Sequence, residues 1–285
     1  MNVLITGANG FIGRSLRSSN LISKHNMIFT TRKDLNVLDK ECIEKFIKDN
    51  SINVIIHTAV KGHPGDDSKY TLSENLSADL NILQMNNLVD RIIIFGSGAE
   101  YNRLTNIDQV NESDQIITPT DYYSLGKYTT SRAATLIDNV YNLRLFGCFG
   151  PLENDSRFIK NNINKVFNHC SISIQKDRYF DFFYIDDLIK LIDYYIESDS
   201  VYKEINCVYD KKYKLSDIAN IIKTELRKKD PIILLNDKDG LDTSYTATAN
   251  NINNLKSTSS YEINFKGLVQ GIKEMITIKE INEKN

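Results

Sequence analysis

The 285-residue chain predicts an α/β fold, a doubly wound parallel sheet followed by a small C-terminal lobe. Three observations predict it. Strand-like and helix-like segments alternate through the first two thirds of the chain with short connections. The run Val54-Ile55-Ile56-His57 has almost no polar alternation, as expected of a strand covered by helices on both faces. A turn carrying Gly7, Gly10 and Gly13 separates the first strand from the first helix.

Taken in order, residues 3–6 form a short apolar strand and a helix begins at Phe11. Residues 27–31 read as the next strand. Residues 42–50 place Cys42, Ile43, Phe46 and Ile47 on one face at helical spacing. After the strand at 54–57 come a helix at 75–88, a buried strand at 91–95, a helix at 122–140 and a strand at 142–146. Beyond Pro151 the pattern loosens: a helix at 185–196, a strand at 205–208, a helix at 215–226 and a strand at 231–235. The Lys/Glu/Asn-rich end is expected to fray in its last few residues.

Charge and cysteine content exclude several classes. Lys and Arg number 35 against 37 Asp and Glu, so no basic excess points to nucleic acid. The chain opens without a basic start or a long apolar stretch, which predicts neither signal peptide nor membrane span and hence a cytoplasmic protein. Cys42, Cys148, Cys170 and Cys207 lie far apart with no Cys-x-x-Cys pair, so neither a metal site nor a disulfide framework is indicated. Reduced, buried thiols are expected.

The glycine turn, Thr6-Gly7-Ala8-Asn9-Gly10-Phe11-Ile12-Gly13, sits where a dinucleotide-binding turn belongs. The first glycine lets the chain turn, the second lets backbone approach a pyrophosphate, and the third lets the helix pack closely. The helix N-terminus then offers free N–H groups to phosphate. The second strand ends Thr30-Thr31-Arg32-Lys33, with Asp34 three residues late for an acid that would take a ribose 2′-hydroxyl. Arg32 can instead grip a 2′-phosphate, with Arg14 as a second clamp, so NADP is expected and NAD is the alternative.

Two further features carry chemistry. Tyr123 and Lys127 stand at i and i+4 on one helix face. There a lysine can lower the phenol's pKa and hold ribose hydroxyls, and the tyrosine can exchange the proton that accompanies hydride transfer. Ser97, in Phe95-Gly96-Ser97-Gly98-Ala99-Glu100-Tyr101, lies at the carboxyl end of a strand, where open α/β sheets bind ligands. It can hydrogen-bond an oxygen undergoing reduction.

With these residues in hand, the chain resembles the extended short-chain dehydrogenase/reductases acting on nucleotide sugars, the epimerase, dehydratase and 4-reductase group. The resemblance rests on Gly7/Gly10/Gly13, His57-Thr58-Ala59, Asn75, Ser97, Tyr123/Lys127, Arg144-Leu145-Phe146-Gly147-Cys148-Phe149-Gly150-Pro151 and Phe182-Phe183-Tyr184-Ile185-Asp186-Asp187. It implies a Rossmann domain over residues 1–150, with a segment returning near 180–208, and a nucleotide-sugar lobe over most of 151–285. Coenzyme contacts are implied for Asn9, Phe11 and Ile12, for Leu38 and Asp39, for Thr58, Ala59 and Val60, and for Asn75, Phe95 and Gly96. The segment Leu145, Phe146, Gly147 and Cys148 is implied to border the nicotinamide. Lys61, Gly98 and Ala99 are implied to meet substrate.

Departures from the family pattern narrow the reaction. Dehydratases of the group carry an Asp-Glu pair after the catalytic hydroxyl residue; here Gly98 and Ala99 stand there, neither able to move a proton. Glu100 is one position late and is expected to face away from an extended segment. The stretch Arg32-Lys33-Asp34-Leu35-Asn36-Val37 resembles the GDP-fucose synthase type, whose epimerising cysteine and histidine are replaced here by Ala99 and Arg157. Phe180 replaces a diphosphate-binding arginine, leaving Arg157 or Arg178 to take that role. The implied reaction is NADPH-dependent reduction of the C4 keto group of a nucleotide-diphospho-4-keto-6-deoxyhexose, making an activated deoxysugar for surface polysaccharide. The alternatives are an NAD-dependent 4-epimerase and a non-enzymatic NADP-binding sensor. A homodimer through the helices near 76–88 and 123–136 is implied by resemblance alone.

Overall fold

The computed structural model describes residues 1–62, 68–227, 232–234 and 244–283. The first half of the chain runs β1 (Asn2–Thr6), α1 (Phe11–Arg17), α2 (Leu21–Lys24), β2 (Asn26–Thr30), α3 (Lys40–Asp49), β3 (Val54–His57), α4 (Lys69–Leu83) and β4 (Arg91–Ile94). A 3₁₀ turn (Gly98–Tyr101) follows, then β5 (Ile107–Val110), α5 (Tyr122–Ala134), β6 (Val140–Leu145) and β7 (Cys148–Phe149). The second half runs α6 (Phe158–Phe167), β8 (Ile172–Ile174), β9 (Phe183–Tyr184), α7 (Ile185–Glu197), β10 (Glu204–Cys207), α8 (Leu215–Glu225), β11 (Ile232–Leu234), β12 (Tyr245–Ala247), α9 (Asn250–Thr258) and α10 (Gly267–Asn282).

Six strands form one parallel sheet in the order β10-β6-β4-β3-β1-β2. Side chains alternate across a strand, and here both faces are apolar. Val3, Ile5, Val54, Ile56 and Ile93 enter one core with Leu16 of α1 and Leu188 and Ile192 of α7. Their neighbours Leu4, Ile55, Ile92 and Ile94 enter the other with Ile43 and Ile47 of α3 and Ile82 of α4. The doubly wound sheet expected from the sequence is therefore present.

Helix ends depart from the sequence reading, and tertiary bonds explain why. The helix expected at 75–88 is α4, which starts at Lys69 with the Ser68 hydroxyl accepting from Tyr70 N. It stops at Leu83, and the Asn139 amide captures the carbonyls of Asn86 and Val89 at 2.8 and 3.0 Å. The helix expected to reach 140 ends at Ala134, because tight i→i+3 bonds at Leu136 and Ile137 turn the chain into β6 two residues early. The sequence reading left α6, α9 and α10 without elements. Residues 284–285, at the end expected to fray, lie outside the described ones; before them α10 buries Leu268, Ile272, Met275 and Ile276, and Glu274 accepts from the Tyr184 hydroxyl at 3.0 Å. Its first turn is anchored on Asp187, whose oxygens accept from Lys266 N and Gly267 N. Of the expected strand at 231–235, Ile232–Leu234 is seen and the outer two residues lie outside the described ones. Cys148 and Cys207 are buried as expected, whereas Cys42 and Cys170 are exposed, each at a helix end rather than in a core.

Arg144 of β6 is fully buried, and so is its partner Glu100 at 2.8 Å. All its N–H directions are used: Nε on Glu100, Nη1 on the Tyr101 hydroxyl and Asn206, Nη2 on Ser131 and Glu204. The carboxylates of Glu100 and Glu204 hold the guanidinium charged against the cost of burial. Removing it strands a buried carboxylate. Arg144→Met is expected to lose about 3–5 kcal/mol of stability in urea unfolding, and Arg144→Met/Glu100→Gln to recover part of it.

Candidate active site

The sheet order reverses direction at β1, so the carboxyl ends of β1 and β3 flank a topological switch point. Thr6 and His57 are register partners there. Two cavities of about 600 Å³ each open at this edge and share Gly10, Thr58, Ala59 and Val60. Between them runs the glycine turn. Gly7 has φ +68, and a Cβ on it would lie 2.6 Å from the Ala59 backbone, so no other residue fits. Asn9 and Gly10 face outward, while Phe11 and Ile12 at the start of α1 line the first cavity.

The second cavity is lined by Asn9, Arg32, Lys33, Leu38, Lys61, Glu74 and Asn75 among others. Glu74 is paired with Lys61 at 2.8 Å and faces Arg32 at 3.8 Å. The Lys61 hydrogen bond, joined by the charge of Arg32, holds its carboxyl below the usual range. Two cations thus meet one carboxylate, and Lys33 lines the same cavity. Asp34 turns back onto Thr31, accepting from its N–H and hydroxyl at 2.8 and 2.7 Å, and stays out of the cavity. Asn75 braces the rim, its amide exchanging two hydrogen bonds with the Lys61 backbone.

The first cavity brings Ser97, Tyr123 and Lys127 together. Ser97 follows β4 and caps the 3₁₀ turn, its hydroxyl accepting from Ala99 N at 3.2 Å. Tyr123 and Lys127 lie in the first turns of α5, which Asp121 starts by accepting from Ser124 N. Arg103 pairs with Asp121 at 2.7 Å and lies over the Tyr123 ring. Phe95, Gly96, Ala99, Leu145, Phe146 and Cys148 complete this end, and Glu153, Arg157, Arg178, Phe180 and Tyr245 line the remainder. Arg178 is half-buried over the Phe180 ring.

Lys127 donates to the Phe95 carbonyl at 2.9 Å. Asp79 of α4 lines the same cavity, accepting from Thr130 at 2.7 Å and bonded to His57 at 3.1 Å. His57 in turn meets the Thr6 hydroxyl at 2.8 Å. Burial works against the Asp79 charge, but Lys127, His57 and Thr130 outweigh it and hold the carboxyl below the usual range. His57 thus belongs to a buried hydrogen-bonded chain running from β1 to α5. Asp79, Glu153, Arg103 and Tyr245 escaped the sequence reading. No local spacing marks them, because four different segments bring them to one place.

Several expected contacts lie elsewhere. Arg14 donates to the Leu152 carbonyl at 2.7 Å and does not reach the second cavity, since the chain after β7 passes over α1. Asp39 caps α3 by accepting from Cys42 N, outside the cavity lining. Lys61 opens on the second cavity rather than on the space beside Tyr123, because Glu74 holds it there. Gly98 is buried under Phe146, where a Cβ would sit 2.5 Å from the ring, and lines neither cavity. Gly13 and Gly147 also stand behind the lining, packed against Gly7 and Asp181 backbone. Glu100 does avoid the cavity, though not along an extended segment: the 3₁₀ turn folds it under Ser97, whose N–H it accepts at 2.8 Å.

Bare backbone at Gly7 and Gly10, with cavities on both sides of the turn, fits a nicotinamide dinucleotide. Fold and site together define an NAD(P)-dependent enzyme of the extended short-chain dehydrogenase/reductase type. The NAD dependent epimerase/dehydratase family matches residues 3–207, and the chain belongs to that family. It is 23% identical over 252 residues to a GDP-L-colitose synthase of Yersinia pseudotuberculosis, covering 78% of this chain and 81% of that one. Its fold is similar to that of a UDP-glucose 4-epimerase from Thermotoga maritima, with TM-score 0.82, 16% identity and coverage of 99% and 100% of the two chains. It is also similar to a GDP-mannoheptose C4 reductase from Campylobacter jejuni with NADP bound, with TM-score 0.74, 18% identity and 98% of each chain covered. Among the described residues no helix is long and apolar enough to cross a membrane.

The Asp79 carboxyl is depressed in the folded state, so its contribution to stability is full above its unfolded pKa of about 4 and is lost as pH falls through the lower folded value. Asp79→Asn is expected to cost about 2 kcal/mol near neutral pH. Urea unfolding followed from neutral to acid pH should show that difference shrinking towards the acid end.

Proposed function

We propose that this protein is an NADPH-dependent ketoreductase that reduces the C4 keto group of a nucleotide-diphospho-4-keto-6-deoxyhexose. The observation that carries the reading is the lining of the first cavity. It presents a serine, a tyrosine and a lysine together, while Ala99 stands where a dehydratase of the group carries its acid–base pair. Reduction needs one proton and one hydride; water loss needs a further acid and base.

When bound, the coenzyme supplies the hydride. The glycine turn and the start of α1 take its pyrophosphate, and Arg32 and Lys33 take the 2′-phosphate at the mouth of the second cavity. Tyr123 hands its phenolic proton to the C4 oxygen as the carbonyl becomes an alcohol. Ser97 donates a hydrogen bond to that oxygen and polarises it. Lys127, beside the Asp79 carboxylate and donating to the Phe95 carbonyl, holds the ribose hydroxyls of the bound coenzyme. Arg157 and Arg178 on the cavity wall take the substrate's diphosphate. The Campylobacter jejuni protein of similar fold is a GDP-mannoheptose C4 reductase, which agrees with this reading.

The decisive measurement is NADPH oxidation over freshly made CDP-, dTDP- and GDP-4-keto-6-deoxy sugars, with products identified by NMR. Turnover of at least one is expected, falling about 10²–10⁴-fold in Tyr123→Phe with coenzyme affinity kept. No oxidation on any of them, with interconversion of a non-keto nucleotide sugar instead, sinks the reading in favour of an epimerase. Arg32→Ala is expected to weaken NADPH binding about tenfold while leaving NADH binding within about twofold, as read by fluorescence titration.

A further inference from the structure

Glu153 is a carboxylic acid without an assigned task. It lines the first cavity between Cys148 and Arg157 in sequence, is only 4% exposed, and its Oε1 is buried with no hydrogen-bond partner. Its loop is held by other groups. The Glu153 N–H donates to the Gly150 carbonyl at 3.1 Å, the Glu153 carbonyl accepts from Lys160 at 2.8 Å, and Arg14 grips the Leu152 carbonyl. The loop backbone is therefore fixed by its own bonds, and Oε1 of the carboxyl serves no hydrogen bond of the fold. A buried polar group left unpaired in a ligand-sized cavity is satisfied by what the cavity binds.

We propose that Glu153 is a substrate-recognition residue whose carboxyl group donates a hydrogen bond to an oxygen of the nucleotide sugar held in the first cavity. This rests on the nucleotide-sugar reading above and adds a recognition group that none of the family motifs contains. Burial pushes the Glu153 carboxyl up to about 8, against the charges of Arg157, which caps α6, and Lys160 of α6 and the hydrogen bonds of the Lys160 and Gly150 backbones. The Cys148 thiol of β7, itself pushed up by burial, faces it as a neutral group. At neutral pH the carboxyl therefore keeps its proton and can donate. A diphosphate arriving beside it disfavours ionisation further, so binding near pH 8 draws in a proton.

The test is calorimetric titration of the NADPH-loaded protein with UDP-, GDP-, CDP- and dTDP-glucose at about pH 8, in two buffers of different protonation enthalpy. Wild type is expected to take up about half a proton on binding. Glu153→Gln keeps a donor but cannot titrate: it should bind within about threefold of wild type with no proton uptake. Glu153→Leu should bind about tenfold more weakly. Binding without proton uptake in wild type, uptake that survives in Glu153→Gln, or unchanged affinity in Glu153→Leu overturns the proposal. So does a carboxyl titration by carbon NMR that places Glu153 in the ordinary glutamate range. If none of the four nucleotide sugars binds, the underlying reading falls, and that outcome is distinct from binding that ignores Glu153.

Discussion

One buried cation organises the working edge of this protein. The Arg144 guanidinium, near the carboxyl end of β6, has no access to solvent, and its five N–H directions reach Glu100, Tyr101, Ser131, Glu204 and Asn206. Those partners sit on the turn after β4, on α5 and on β10. Ser97 belongs to that turn, and Tyr123 and Lys127 belong to that helix. The spacing of the three is thus set by a charge that must be neutralised where it lies, because an unpaired guanidinium in an apolar interior is far too costly to persist.

A second buried network works closer to the cavity. Thr6, His57, Asp79 and Thr130 form a chain of hydrogen bonds from β1 through β3 and α4 to α5, and its carboxylate faces Lys127. The two networks divide the labour. Arg144 positions elements, whereas Asp79 sets the electrostatic background of one side chain on them. Glu100 shows how closely the first network approaches the cavity: one oxygen holds Arg144 and the other holds the Ser97 N–H.

The same turn brings no carboxylate into the first cavity. Gly98 gives way to the Phe146 ring, Ala99 offers only a methyl group to the cavity, and Glu100 is committed below. Acidity returns from another direction, on the loop after β7, where Glu153 is buried with an unpaired oxygen. A carboxyl group in that place, with Arg157 near it, suits recognition of an oxygen-rich ligand.

What the sequence by itself determined was everything expressed in neighbouring residues. Strands at 2–6 and 54–57 follow from apolar runs, the turn at Gly7 from glycine spacing, and the shared face of Tyr123 and Lys127 from helical period. Even Ser97 was legible, since its place at a strand end is a local fact. Only the tertiary structure decided where long polar side chains go. Arg14, Lys61 and Asp39 sit beside the right motifs yet bond to Leu152, Glu74 and Cys42. Asp79, Glu153 and Tyr245 reach the cavity although no motif residue stands at any of the three positions. Helix α10 went unread for a related reason: its capping carboxylate, Asp187, lies 80 residues from the Gly267 amide it accepts. Backbone periodicity is a property of adjacent residues, whereas the partner of a charged or hydrogen-bonding group is whichever opposite group the fold brings within about 3 Å.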